Sequence, residues 1–240
     1  MKPLVILVGA DKGGVGKTMV SRALIDYFEQ ENIKMRVFDT EYPRGNLKRF
    51  HQDIVQIVNI TSTQDQMLIL DQLFSGEPKL TLIDVRAGQM SLTLEVLKEI
   101  GFLDAVNTGD YQLLIFHVLG PSISSLNELK NISQFVVDAD YYLVKNIIQS
   151  AMFFEWDPIT YAHYFSKVRR VGDIVIPTLN EVANEEVDLA QLPFSKFVHN
   201  NNGSAHYSFV LRGYVRTWLK RVFEQFSQFD LIKQARSALK

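Results

Sequence analysis

The stretch DKGGVGKT at residues 11–18 decides the fold of this chain. An unbroken aliphatic run, LVILV at residues 4–8, stands before it, and apolar residues at three- and four-residue spacing follow it. The run predicts a strand buried on both faces of a parallel sheet, and the spacing predicts an amphipathic helix. A glycine-rich turn between such a strand and such a helix is the setting that a phosphate-binding loop requires.

Each residue type in this loop has a physical task. The glycines let the backbone bend and turn its N–H groups inward, and together with the helix N-terminus these donors form an anion cradle. Lys17 then reaches the β- and γ-phosphates of a nucleotide, and the Thr18 hydroxyl coordinates magnesium. The general motif has glycine where Asp11 stands, so we expect this carboxylate to be held outward. A glycine-rich turn without a ligand is the alternative.

Short β-rich runs alternate with helical patterns along the rest of the chain. Further strands are predicted at 35–38, 54–60, 80–83, 113–118, 141–148 and 174–176. Helices are predicted at 68–74, 92–100, 124–135, 151–170 and 208–226, the last with a possible continuation to 239. The alternation predicts an α/β fold with a mainly parallel twisted sheet and helices on both faces. No linker divides the chain, so we expect one domain over 1–240, with the C-terminal helix 208–239 packed on it.

The composition limits the classes of function. The chain has 240 residues, 47% of them apolar, which is enough for one sizeable core. The net charge of −2 argues against a generally basic nucleic-acid binder and leaves room for a local basic patch. Because cysteine is absent, disulfides, cysteine-ligated metal centres and a thiol nucleophile are excluded. Without a long apolar run or a signal sequence, we expect a cytoplasmic protein.

The segment KGGVGKT at residues 12–18 resembles the deviant Walker A motif of the ParA/MinD family of ATPases. The resemblance implies a P-loop NTPase that binds ATP and Mg²⁺ and forms a homodimer in the ATP state. It also implies that Lys12 reaches the phosphates bound by the dimer partner, whereas the alternative is a solvated loop lysine. The nucleotide-binding residues implied in this segment are Gly13, Gly14, Val15, Gly16, Lys17, Thr18 and Met19.

Two downstream segments extend the resemblance. DTEYPRGN at 39–46 resembles the family pattern D-x-D-P-Q-G-N with one extra residue, and LTLIDVRAG at 80–88 resembles its Walker B and switch segment. The resemblance implies that Asp39 lies near the magnesium ion, that Glu41 orients the attacking water, and that Asp84 binds magnesium through water. The implied catalytic set is Lys12, Lys17, Glu41 and Asp39, and the implied metal set is Thr18, Asp39 and Asp84.

Alternatives stay open for two of these acids. Asp39 could instead be a strand-end turn residue, and Glu41 an exposed loop carboxylate. Glutamate is one methylene longer than the family's aspartate, and attack geometry is sensitive at about the 1 Å scale. Slow hydrolysis is therefore an alternative to ordinary turnover.

Three other positions have weaker signals. Asn146 ends a predicted strand where the family commonly has an asparagine that contacts the base, and Pro177 resembles the family's base-packing turn. Arg86 is either a switch residue that contacts the dimer partner or a surface arginine. His117 lies in an apolar strand, which predicts a core histidine with satisfied hydrogen bonds.

The C-terminal stretch is basic. From residue 212 onward seven basic residues oppose two acidic ones, so this stretch carries +5 and the rest of the chain −7. Arg212, Arg216 and Lys220 lie four residues apart on one helix face, where they are candidates for nonspecific contact with DNA phosphates. The alternative is an ordinary solvated face. Membrane attachment through the last helix would use a thin apolar face, so we do not expect stable membrane association.

The function that the resemblance implies is a ParA-like ATPase switch that positions or partitions plasmid or chromosomal DNA. We expect its hydrolysis to be slow and stimulated by a protein partner. A nucleotide-binding regulatory scaffold with little turnover and a MinD-like membrane-positioned ATPase are the alternatives. A metabolic enzyme of the same P-loop branch would need a polar substrate constellation, which the sequence does not show.

Overall fold

The computed structural model describes residues 2–75, 77–120, 139–147, 170–199 and 207–239, together with Glu128, Ile132 and Phe135. In this part of the chain seven strands form one sheet in which every pairing is parallel. The strands are β1 (Leu4–Gly9), β2 (Arg36–Asp39), β3 (Val55–Ile57), β4 (Leu80–Asp84), β5 (Gln112–Leu119), β6 (Asp140–Asn146) and β7 (Arg170–Ile176). Their order across the sheet is β3-β2-β4-β1-β5-β6-β7. The predicted α/β class with a parallel sheet is confirmed.

Helices cover both faces of this sheet. The described helices are α1 (Lys17–Gln30), α2 (Thr63–Ser75), α3 (Met90–Glu99), α4 (Phe102–Asn107), α5 (Glu181–Ala190), α6 (Phe194–His199), α7 (Phe209–Ser227) and α8 (Leu231–Leu239). Alternate residues of β1 belong to two cores: Leu4 and Ile6 pack with α1 and α5 to α8, whereas Val5 and Leu7 pack with α2, α3 and α4. This two-sided burial is the reason for the continuous aliphatic run in the sequence.

Two predicted elements were wrong in part. The single helix over 208–239 is two helices, because the chain turns after Ser227 and Asp230 adopts a left-handed φ of 52°. Residue 170, predicted as helical, begins β7, which is longer than the predicted strand at 174–176. Gly172 and Asp173 are residue types depleted in strands, and their pairing with β6 overrides that preference. The predicted helix at 124–135 and the rest of that at 151–170 lie outside the continuously described residues.

The two C-terminal helices pack on the sheet core. The buried residues of α7 are Val215, Trp218, Leu219, Val222 and Phe226, and those of α8 are Leu231, Ala235 and Ala238. The Phe229 ring between the helices lies so close to β7 that a Cβ on Gly172 would stand 2.7 Å from its Cζ. The apolar face of α8 is therefore used inside the protein. In the described part of the chain, every helix is too short or too polar to cross a membrane.

The carboxyl ends of the central strands meet at one edge of the sheet. Asp39 at the end of β2 is in register with Asp84 at the end of β4, and Val8 of β1 pairs with Asp84 from the other side. The chain leaves β1 toward β2 and later crosses from β4 to β5 on the opposite side. In open α/β sheets ligands bind at such a switch point, so the fold places the loops after β1, β2 and β4 together.

We expect Phe226→Ala to lower the free energy of unfolding by about 3–5 kcal/mol, because the side chain is fully buried between α7 and the sheet. Phe209→Ala on the same helix is the matched control. Its side chain is 75% exposed, and we expect a change within about 0.5 kcal/mol. Urea unfolding of both variants measures the difference. Equal losses would contradict the packing of α7 on the core.

Candidate functional site

The glycine-rich loop between β1 and α1 has the backbone geometry of an anion cradle. Gly14 and Gly16 have φ values of 72° and 85°, in the left-handed region that residues with a Cβ rarely adopt. Gly16 precedes the first helical residue, and no side chain caps the N-terminus of α1. The N–H groups of the first turn therefore remain donors for an anion.

Lys17 lies buried within this loop. Only 7% of it is exposed, and its Nζ donates to the backbone oxygen of Lys12 at 3.2 Å. Burial lowers the pKa of Lys17, whereas the charges of Asp84, Glu41 and other nearby carboxylates raise it. A cation removed from water in this way interacts more strongly with an arriving anion than a solvated lysine does.

Asp84 at the end of β4 accepts hydrogen bonds from α1. The Thr18 hydroxyl donates to its Oδ2 at 3.1 Å and the Ser21 hydroxyl to its Oδ1 at 2.8 Å. Burial first and the charge of Asp39 second raise the pKa of Asp84 to about 7, against the lowering effect of both hydroxyls and of Lys17. The fold therefore brings together Thr18 and Asp84, two of the three residues in the predicted magnesium site.

The carboxylate of Asp39, the third residue of that predicted site, accepts hydrogen bonds from the loop that follows it. Its Oδ1 accepts the Glu41 N–H at 2.9 Å, and its Oδ2 accepts the N–H groups of Leu47 and Lys48 at 2.7 and 3.1 Å. These bonds fix the shape of loop 40–48. The contacts of Asp39 thus show a turn-shaping role, and its position near magnesium stays a prediction.

The loops after β2 and β4 are joined to each other. The Thr40 N–H donates to the Asp84 backbone oxygen at 3.0 Å, and the Arg86 N–H donates to the Thr40 hydroxyl at 2.8 Å. The Arg86 guanidinium lies 3.8 Å from the Glu41 carboxylate and donates to the Tyr42 carbonyl at 3.5 Å. Arg86 therefore contacts the loop that contains the predicted water-orienting residue.

Asp11 points away from the glycine loop, as expected for a carboxylate beside a phosphate site. Its Oδ1 accepts the Ser91 N–H at 3.1 Å and its Oδ2 the Ser91 hydroxyl at 2.5 Å, both from the first turn of α3. Its own N–H donates to the Glu128 carboxylate at 3.1 Å. The buried His117 ring lies between the Tyr141 hydroxyl and Glu128, so the prediction of a satisfied core histidine is confirmed.

A cavity of about 880 Å³ opens beside the glycine loop. Its lining includes Gly16, Thr18, Met19, Arg22, Asn146, Ile147, Thr178, Leu179, Asn184 and Asp188. Pro177, predicted to pack against the base, is not among the lining residues. Its carbonyl instead accepts the Trp218 indole N–H at 2.7 Å, so the two residues after it form that wall.

Asn146 presents an unsatisfied acceptor in this lining. It is 2% exposed, and its Nδ2 donates to the Val15 carbonyl at 3.0 Å, which leaves Oδ1 without a partner in the described part of the chain. The side-chain oxygen of Asn184 is also buried without a hydrogen-bond partner among the described residues. Buried acceptors without donors are costly, so a ligand with an amino group would satisfy them.

No family model matches this sequence, and no curated protein sequence matches it. Solved structures do match the fold. The septum site-determining protein MinD of Pyrococcus horikoshii OT3, complexed with Mg-ADP, is 16% identical with a TM-score of 0.59, and the match covers 97% of this chain and 99% of that chain. A candidate plasmid partition protein of Borrelia burgdorferi B31, bound to AMPPNP, is 14% identical with a TM-score of 0.50, covering 95% and 99%.

This chain has the P-loop NTPase fold. The glycine loop and α1 stand where this fold has its P-loop and the helix that follows it, and they are called the P-loop and the P-loop helix for their position.

The P-loop helix also contains a buried arginine that the sequence analysis missed. Arg22 is 3% exposed, and its Nη1 lies 2.7 Å from the Asp188 carboxylate. Its guanidinium lies between the rings of Phe50 and Phe194, at 3.5 and 4.0 Å from their centroids. Burial lowers the pKa of Arg22 to about 10, although Asp188 opposes the shift. The helical spacing gives no signal for this residue, because Arg22 lies off the apolar stripe that contains Val20 and Leu24.

Two of the three predicted DNA-contacting residues lie on a surface of mixed charge, whereas Arg212 is half-buried, with its Nε enclosed. Arg216 and Lys220 are exposed on α7 and line a cavity of about 920 Å³ together with Glu31, Glu224 and Asp230. Glu31 follows the last residue of α1, so this cavity lies at the opposite end of the P-loop helix from the phosphate loop. The acids reduce the local positive charge. Nonspecific DNA contact through Arg212, Arg216 and Lys220 stays a prediction.

Asp26 of the P-loop helix makes stability depend on pH. It is buried, its carboxylate accepts the N–H and the hydroxyl of Ser195, and burial raises its pKa from 3.8 to about 6. Between these values the folded protein binds more protons than the unfolded chain, so this group lowers stability as pH rises from about 4 to above 6. A shift of this size corresponds to about 3 kcal/mol.

We expect Asp26→Asn, which keeps an acceptor oxygen and loses the charge, to gain stability relative to the wild type as pH rises. Urea unfolding at pH 4.5 and 7.5 measures this, with a gain of about 2 kcal/mol between the two conditions. Asp104→Asn, which removes an acid at an exposed position on α4, is the matched control. A mutational effect on Asp26 that is the same at both pH values would refute the burial argument.

Proposed function

We propose that this chain is an ATP-binding and ATP-hydrolysing switch of the ParA/MinD type, which forms a homodimer around ATP and acts in positioning or partitioning DNA. The observation that carries the proposal is the buried Lys17 ammonium in a glycine loop, beside the Thr18–Asp84 contact. Two fold neighbours are described as a septum site-determining protein with Mg-ADP and a candidate plasmid partition protein with AMPPNP. Their descriptions support the assignment.

The residues present fit a magnesium nucleotide. Phosphates accept the N–H groups of the first turn of α1 and the Lys17 ammonium. Thr18 and Asp84 are oxygen donors of the kind that magnesium prefers, and magnesium, when bound, neutralises charge on the phosphate oxygens. In the described part of the chain, no group of three or more acidic or histidine side chains is arranged to hold a metal ion. Phosphate oxygens would therefore complete the magnesium shell.

The cavity favours an adenine base. The free Asn146 Oδ1 accepts hydrogen bonds only, and its orientation is fixed by the bond from its amide nitrogen to Val15. The exocyclic amino group of adenine can donate to this oxygen. Guanine presents a carbonyl oxygen at the corresponding position, which would leave two acceptors facing each other.

Hydrolysis in this proposal uses four side chains. Lys17, and Lys12 from the dimer partner, stabilise the charge that develops on the transferred phosphoryl group. Glu41 positions the attacking water, and Asp39 shapes the loop that holds Glu41. The Arg86–Glu41 contact, however, favours a second candidate: a nucleotide-binding scaffold with little turnover, in which Glu41 stays directed toward Arg86.

Turnover measurements separate the two candidates. We expect Lys12→Ala and Glu41→Gln to lower kcat about 10²-fold, while ATP affinity changes only a few-fold. Lys17→Ala should lose ATP binding as well, because its ammonium contacts phosphate before and during reaction. Lys98→Ala, an exposed cation on α3, is the control. If the wild type binds ATP but turns over no faster than the Lys12 and Glu41 variants, the scaffold is the better assignment.

DNA binding is tested by fluorescence anisotropy of a random-sequence duplex with magnesium and either ATP or ADP, at several salt concentrations. We expect binding with ATP that weakens steeply with salt. The double variant Arg216→Ala/Lys220→Ala should reduce the log–log salt slope by about 2, since each phosphate contact contributes about 0.9. Lys34→Ala/Lys98→Ala is the matched control, because it removes two exposed cations that lie outside α7. Equal or absent binding in both nucleotide states would overturn the DNA role and leave the ATPase assignment standing.

A further inference from the structure

Asp11 stands where the general P-loop motif has glycine, and its carboxylate caps the N-terminus of another helix, α3. The residue before α3, Gln89, makes no side-chain capping bond, and the first turn of α3 has no acid of its own. Asp11 supplies the missing cap and the missing acid, because its carboxylate accepts the N–H and the hydroxyl of Ser91, which is 80 residues away in the chain. A carboxylate at a helix N-terminus is stabilised by the free N–H groups and the helix dipole.

The backbone of Asp11 is held on its other side. Its N–H donates to Glu128, whose carboxylate lies 3.4 Å from the buried His117 ring, and that ring in turn contacts the Tyr141 hydroxyl. Because His117 and Tyr141 belong to the buried strands β5 and β6, these contacts connect the Glu128 carboxylate to the sheet. Residue 11 is therefore fixed to the sheet through its backbone and to α3 through its side chain.

The segment that precedes α3 lies directly on the P-loop. A Cβ on Gly88 would stand 3.8 Å from the Asp11 carbonyl oxygen, and a Cβ on Gly13 would stand 3.8 Å from the Ala87 Cβ. The same segment bonds to Thr40 through the Arg86 N–H. A continuous path of contacts thus runs from Asp11 through Ser91 and residues 85–89 to the loop that contains Glu41.

We infer that Asp11 is a positioning residue: through Ser91 it holds the N-terminus of α3 against the P-loop, so that nucleotide in the P-loop orders residues 85–89 and the Glu41 loop. The inference rests on the proposed function, because it concerns the nucleotide of the same site. Glycine at this position could contact the phosphates equally well, but it would leave α3 without its cap and without this link.

Hydrogen exchange with and without Mg-ATP tests the link independently of hydrolysis. In the wild type we expect nucleotide to slow exchange in residues 12–18 and in residues 86–94. In both Asp11→Ala and Ser91→Ala we expect protection to persist in 12–18. In 86–94 we expect it to be lost in Asp11→Ala and weakened in Ser91→Ala, which keeps the bond from the backbone N–H of residue 91. Asp104→Ala, which removes an acid from the first turn of α4, is the matched control with both effects retained. Persistent protection of 86–94 in the two variants overturns the inference.

Turnover gives the second readout. We expect Asp11→Ala to lower kcat about 10-fold and Ser91→Ala to lower it less, both with little change in KM, since they displace Glu41 and not the phosphate cradle. The double variant should be no worse than Asp11→Ala, because Asp11→Ala already removes both bonds from Ser91, whereas Ser91→Ala removes only the bond from the hydroxyl. Asp11→Asn keeps an acceptor oxygen and should recover part of the loss. A variant that is less stable but has normal kcat and normal protection shows a structural cap only, which refutes the positioning role.

The same measurements separate this inference from the proposed function. A wild type that shows no protection of 12–18 by Mg-ATP overturns the ATP assignment, and the inference fails with it. A wild type that binds and hydrolyses ATP, with an Asp11→Ala variant that behaves identically, overturns the inference alone. If Asp11→Ala does not fold, Asp11→Asn and Ser91→Ala provide the same comparison with smaller changes.

Discussion

The site depends on burying charges of opposite sign side by side where the central strands end. Asp84 and Asp39 are adjacent in register, and the Lys17 ammonium lies within reach of the Asp84 charge with little access to water. Buried charges are costly unless they are paired and hydrogen-bonded. Here the Thr18 and Ser21 hydroxyls satisfy Asp84. In the proposed function, a divalent cation would lie beside these acids and phosphates beside the Lys17 ammonium.

The rest of the fold holds this arrangement in place. The two cores on either face of β1 fix the strand ends, so the loops that follow them start from rigid positions. Asp39 then shapes the loop with Glu41, and Arg86 and Thr40 connect that loop to the end of β4. The network is made largely of side chains bonded to backbone groups. Such contacts set the path of a loop more strictly than ion pairs between exposed side chains do.

Motif spacing predicted the residues whose roles depend on local geometry. Lys17 and Thr18 begin a helix directly after a glycine loop, so their positions follow from the backbone alone. Thr18 and Asp84 were assigned to one magnesium site with the help of the family resemblance, and the structure brings the two side chains into contact. The pairing of Arg22 with Asp188 could not be predicted, since 166 residues separate the two and neither belongs to a motif.

The sequence by itself determined the sheet class, the glycine loop between β1 and α1, and the acids at the strand ends, because hydrophobic periodicity and glycine placement act over a few residues. Only the tertiary structure decided where Asp11 points, what Asp39 bonds to, and which residues after β7 reach the cavity. These outcomes depend on which distant helix or strand offers a donor or a surface. The tertiary structure also decided that the apolar face of α8 packs on the core, because a pattern of apolar residues does not indicate which surface will cover it.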